Sequence, residues 1–182
     1  TMSDIIFERC AFNGNSNANV SINVRDGVSD ITVRNCVFSG GRGLTTSGNA
    51  NLLSNIVYTN NLHSPGGAYF TGTFNGNVVV RNSIFLFNTG AAFDATQLVV
   101  ENCIFYRSEP SGCNTCTFNN NLTYLANDNS LPYGNNLGSG NIEGQNPLFA
   151  SFPALGAGFD WNQSYELLPG SPALGTGTNG ID

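Results

Sequence analysis

An all-β solenoid, one chain wound into about seven stacked coils, is what the spacing of short apolar strands in this sequence predicts. Three observations carry that expectation. A short apolar strand, a turn residue and a second apolar strand recur seven times, asparagine fills six of the seven turn positions, and the copies repeat every 19 to 27 residues with no helical apolar period between them.

The copies follow in order. Ile5–Phe12 turns at Arg9, and the alternating Ala18, Val20, Ile22 and Val24 offer its coil a third inward strand. Ile31–Phe38 turns at Asn35, Leu52–Tyr58 at Asn55, Val78–Phe85 at Asn82 and Leu98–Phe105 at Asn102. Phe118–Tyr124 turns at Asn121, and the short copy Asn146–Phe149 opens on Asn146. Within a copy, Ile31 and Val33 lie two apart, as do Cys36 and Phe38, while Val33 and Cys36 lie three apart. Alternation puts each pair on one face of its strand, and the extra residue at the turn keeps both pairs inward. That residue belongs in or near the left-handed region, which asparagine tolerates better than other non-glycine residues. Stacked at about 4.8 Å per rung, Asn35, Asn55, Asn82, Asn102, Asn121 and Asn146 form a structural ladder of amides. Inward residues fall into columns, one of Ile5, Ile31, Val78, Leu98 and Ile142, the other aromatic throughout: Phe12, Phe38, Tyr58, Phe85, Phe105, Tyr124 and Phe149. Each such burial is worth about 1.5 to 3 kcal/mol.

The pattern resembles the single-stranded right-handed parallel β-helix of the pectate-lyase-like superfamily, whose coils carry an asparagine turn between two short strands. The resemblance covers roughly residues 4–149 and implies the fold more than the activity, since that scaffold carries lyases, hydrolases, adhesins and inert spacers. Residues 1–149 are assigned to the coils and 150–182 to a closing segment that packs on the helix or on a neighbouring subunit. That segment, with Asn146-Pro-Leu-Phe149 and Tyr165–Gly175, resembles the tail of secreted bacterial β-helix proteins that precede a C-terminal anchoring or sorting module. It implies an extracellular or cell-surface protein. Thr1 in the place of an initiator methionine fits a processed or excised segment.

Composition narrows the partners. All six basic residues are arginine, and a net charge of −6 argues against nucleic acid. No apolar run approaches the roughly 20 residues of a membrane span. The surface is polar and turn-rich, with 28 asparagines and 22 glycines. Sequons at Asn19, Asn121 and Asn162 are candidate N-glycosylation sites in an organism that modifies that motif; in a bacterium, chance in an asparagine-rich chain accounts for them. Cys10, Cys36 and Cys103 share one inward slot and read as small buried hydrophobes. Cys113 and Cys116 lie in a loop and are a candidate local disulfide in an oxidising compartment.

Chemistry is sparsely signalled. A lyase on this scaffold needs a basic residue and commonly a calcium ion held by clustered carboxylates. Here lysine is absent and the acids are scattered; Asp94 and Glu101 come nearest to a pair, yet seven residues apart they are expected to diverge. His63, the sole histidine, has no acidic neighbour within ten residues. No catalytic residue, metal or cofactor is therefore assigned. Tyr133 and Trp161, outside the inward columns, are the candidate glycan-contact or subunit-contact aromatics.

The copy at Ile5–Phe12 already reads as a full rung, so the first layer looks bare, and an exposed strand layer invites pairing. The leading expectation is an extracellular structural protein that self-associates head-to-tail as a subunit of a surface fibre or matrix. The alternatives are a carbohydrate-binding or polysaccharide-degrading domain, and an adhesin fragment.

Overall fold

The computed structural model describes residues 3–13, 20–25, 27–40, 42–46, 56–59, 61–63, 70–72, 74, 77–87, 93–95, 97–110, 113, 115–124, 138–151 and 163–177. Its strands come in successive windings. The first holds β1 (Ile5–Glu8), β2 (Ala11–Asn13) and β3 (Val20–Val24), and the second β4 (Ile31–Arg34), β5 (Val37–Ser39) and β6 (Arg42–Thr46). The third holds β7 (Ile56–Thr59), β8 (Leu62–His63) and β9 (Phe70–Gly72), and the fourth β10 (Val78–Arg81), β11 (Ile84–Leu86) and β12 (Phe93–Ala95). Then come β13 (Leu98–Glu101) with β14 (Ile104–Tyr106), β15 (Thr117–Asn119) with β16 (Leu122–Tyr124), and β17 (Ile142–Glu143).

These strands form three parallel sheets. The first has the order β1-β4-β7-β10-β13-β15, the second β17-β16-β14-β11-β8-β5-β2 and the third β12-β9-β6-β3. The protein is an all-β parallel solenoid, with no helix among the described residues. The expected seven coils are not supported. Only the first four windings give a strand to all three sheets, and later ones have two described strands or one.

Left-handed residues turn the chain between the first and second sheets: Arg9, Asn35, Asn82 and Asn102 have φ of 55°, 54°, 48° and 54°. In the sixth winding the turn falls on Asn120 (φ 52°) rather than Asn121, because β15 pairs Glu101 with Asn119. Asn55 lies outside the described residues. The last turn is Gly140 (φ 71°), not Asn146. A β-carbon at Gly140 would run into the Asn120 carboxamide, so the asparagine ladder ends on a glycine. Asn146 instead makes a local turn, accepting from the Leu148 N–H at 3.0 Å. Other left-handed residues mark further corners, Asp4, Asp30 and Gln97 before the first sheet and Phe87 and Arg107 after the second.

The core departs from the expected columns. Phe12, Phe38, Phe85 and Phe105 do point inward, and two pairs stack face to face at 4.7 and 4.9 Å. Tyr58, however, lies in the first sheet opposite Val33 and Val80, and position 63 takes the register between Phe38 and Phe85. Tyr124 pairs with Tyr106, leaving Thr123 opposite Phe105. Ile142 pairs with Leu122 in the second sheet, not with Leu98. Rings from the first and third sheets, Tyr58, Phe70, Phe93 and Phe118, close the gaps together with Phe74 between strands, and all five are fully buried.

A second hydrophobic cluster lies outside the coil. Phe149 and Leu167 form an antiparallel bridge, supported by Ala150 N–H to Glu166 O and Leu168 N–H to Leu148 O, both 2.8 Å. With Tyr165 and Ala173 they pack on Leu86, Ile104, Tyr106 and Leu122, on the outer face of the second sheet.

Candidate functional site

The position just before each strand of the second sheet faces inward, and these positions form one column: Cys10, Cys36, Asn61, Ser83, Cys103, Asn121 and Asn141. The backbone at the corner leaves an N–H and a C=O of each winding directed at the next, and the polar members of the column satisfy them. Asn61 donates to Val33 O at 3.0 Å and accepts from Cys36 N–H at 2.8 Å. Asn121 repeats this on Val100 O (3.0 Å) and Cys103 N–H (2.9 Å), and Asn141 donates to Phe118 O at 2.8 Å. Of the ladder read from sequence, Asn121 itself belongs to this inward column, while Asn35, Asn82 and Asn102 stand one residue before it. Corner residues are also linked to one another, Asn102 Nδ2 donating to Asn82 Oδ1 at 3.3 Å. The missed signal was polarity: asparagine or serine stood where Cys36 and Cys103 suggested a purely apolar slot.

Two cysteines of the column, Cys36 and Cys103, are buried. Burial pushes the Cys103 thiol up to about 12, and burial likewise raises Cys36. Both thiols donate to backbone carbonyls, Cys36 to Arg34 O and Cys103 to Glu101 O, each at 3.3 Å. Cys113 and Cys116 form a disulfide.

The other sequence candidates do not converge. Asp94 lies on β12 of the third sheet, whereas Glu101 ends β13 of the first and pairs with Arg81 at 3.4 Å. His63 sits on β8. Asn121 is 1% exposed and fully engaged, which leaves no room for a glycan. Tyr133, Trp161, Asn19 and Asn162 lie outside the described residues. Among the described residues no three or more of His, Cys, Asp and Glu group to hold a metal ion, and no helix is long and apolar enough to cross a membrane.

Two surfaces stand out among the described residues. The first is a groove of about 640 Å³ along the corner, bordered by Asn35 and Asn82, floored by Val37, Leu62 and Ile84, and closed by Tyr165. The second is the outer face of the first sheet. Register aligns Ile6, Thr32, Val57, Val79, Val99 and Thr117 in a central outward column. Ile6 is 59% exposed, Val57 37% and Val99 38%. On one flank the register aligns Glu8, Arg34, Arg81 and Glu101 as charged members of a second column, with Arg34 on Glu8 at 2.9 Å. This hydrogen bond holds the Glu8 carboxyl below its ordinary range. On the other flank stand Asp4, Asp30, Asn77 and Gln97. A hollow of about 480 Å³ lies between Asp4, Ile6, Asp30, Thr32 and Val57.

No family model matches this chain, and no curated protein or solved structure matches it either.

Proposed function

We propose that this chain is a structural β-solenoid of an extracellular fibre or matrix, which self-associates by adding a further β layer to its first winding. The observation that carries this reading is a contrast in burial. Ile5, Phe7, Cys10 and Phe12 face the core but are only partly buried, while their counterparts one winding on, Ile31, Val33, Cys36 and Phe38, are buried. An inward layer left half covered gains about 25 cal/mol for each Å² of apolar surface that another layer removes from water. The Cys113–Cys116 disulfide supports an oxidising, extracellular compartment. The asparagine corners between the first two sheets support kinship with the pectate-lyase-like superfamily. Sedimentation velocity and electron microscopy of the purified chain test the reading. Concentration-dependent assemblies lost in Phe7→Arg are expected, and uniform monomers at high concentration would refute it.

The corner groove favours a second reading, carbohydrate binding. Its amides can pair with hydroxyls while Leu62, Ile84 and Tyr165 offer apolar faces to a sugar ring. Titration of neutral polysaccharides followed by calorimetry tests it, and a lyase activity would show as unsaturated products from acidic polysaccharides.

A further inference from the structure

We propose that the outer face of the first sheet is a lateral association surface for a second copy of this chain, the two sheets packing face to face about a two-fold axis that runs along the strands midway between β7 and β10. The proposal extends the structural reading above but uses a different surface.

The first two sheets carry similar aliphatic columns on their outer faces, yet differ in what lies over them. On the second sheet, Ile104 and Leu122 are buried beneath Leu167 and Ala173 of the chain's own closing segment. On the first sheet, Ile6, Val57 and Val99 stay exposed across β1 to β13. The occupant is identified by charge. An axis along the solenoid would set Glu8 against Asp4 of the second copy, which offsets its pairing of Arg34 with Asp30. An axis along the strands at the level of β7 would set Glu8 against Glu101 and Arg34 against Arg81, like on like. Midway between β7 and β10, the same axis pairs β1 with β15, β4 with β13 and β7 with β10 of the second copy, so that all six strands are covered. Val57 then meets Val79, Thr32 meets Val99, and Ile6 meets Thr117. Arg34 meets Glu101 twice, once on each side of the axis. With the existing pairs Arg34–Glu8 and Arg81–Glu101, this gives two alternating rows of four charges and sets no like charges directly opposite. The face is complementary to itself, as an isologous contact requires.

Six strands at about 4.8 Å and four residues at about 3.3 Å give a patch of a few hundred Å² per copy. That is below the roughly 800 Å² per partner of a standard interface. Association is therefore weak, concentration-dependent and weakened by salt.

Sedimentation equilibrium of the full chain from micromolar to millimolar concentration tests this, with circular dichroism confirming each variant's fold. The wild type is expected to dimerise in the upper part of the range. Val57→Lys and, separately, Val99→Lys should each raise the dissociation constant at least tenfold. Arg34→Glu and Glu101→Arg should each weaken the dimer, and the double variant should restore it. Residues 34 and 101 lie three windings apart in one copy, about 14 Å, so only a contact between copies predicts that rescue. Phe7→Arg, which removes stacking on the first winding, should leave this dimer unchanged. A chain monomeric at millimolar concentration, a dimer indifferent to both lysine variants, or a double variant that fails to recover would overturn the proposal.

Discussion

Replacing Asn121 by leucine separates the inward amide column from the outward one. The substitution keeps the number and branching of the heavy atoms but removes both ends of the carboxamide. The Val100 carbonyl then loses its donor at 3.0 Å and the Cys103 N–H its acceptor at 2.9 Å, and the bond from Asn121 Nδ2 to Asn141 Oδ1 at 3.2 Å is also lost. At a site 1% exposed, water cannot substitute. Each stranded backbone group costs about 1–3 kcal/mol, so the loss is about 2–6 kcal/mol. At roughly 2–4 °C per kcal/mol for a chain of this size, the melting temperature should fall by about 4–24 °C. The control is Asn146→Leu, which removes one exposed local bond to the Leu148 N–H and should shift melting by no more than about 4 °C. Thermal unfolding followed by circular dichroism measures both. Equal shifts would refute the inward column as the bearing amide ladder and return that role to the register read from sequence alone.

Leu167→Asp places a carboxylate against Ile104 and Leu122; it should detach the closing segment and raise dye binding to the exposed second sheet while the strand signal persists. A variant that binds no more dye than wild type would count against the packing described. Cys103 should resist alkylation in the native protein at pH 8 and react on unfolding, its thiol being held at about 12 by burial; mass spectrometry of the labelled protein reads this directly. Glu8 should titrate below its ordinary value because Arg34 favours the ionised form. Its folded pKa is depressed, so the contribution to stability is present above the unfolded value and disappears as pH falls through the folded one. Arg34→Gln should return the Glu8 titration, followed by NMR, to the ordinary range.

The copies Ile31–Phe38, Val78–Phe85 and Leu98–Phe105 were legible because β-branched residues alternate around a single asparagine, leaving one residue able to take the left-handed turn. Phe118-Asn119-Asn120-Asn121 was not: three consecutive asparagines are locally equivalent, and only pairing of Glu101 with Asn119 selects Asn120. The third copy was misread for a related reason, since Asn55 and the segment Asn60-Asn61 flank the same strand. The outer face of the first sheet was not legible as a candidate surface. Val79 and Val99 point out of the coil yet are as apolar as Val80 and Val100, which point in, so alternation had no polar residue to mark the surface.

Composition and spacing by themselves determined that this chain is all β, that it repeats, and that its turns fall on asparagine, because strand alternation and left-handed tolerance are properties of single residues and their neighbours. Which asparagine turns and which lies buried, that Tyr58 fills the core from the first sheet, and that the closing segment covers one outer face and leaves another open were decided only in three dimensions. Those features depend on which winding lies over which, and pairing between residues some twenty positions apart is chosen by the hydrogen bonds and packing of the whole stack.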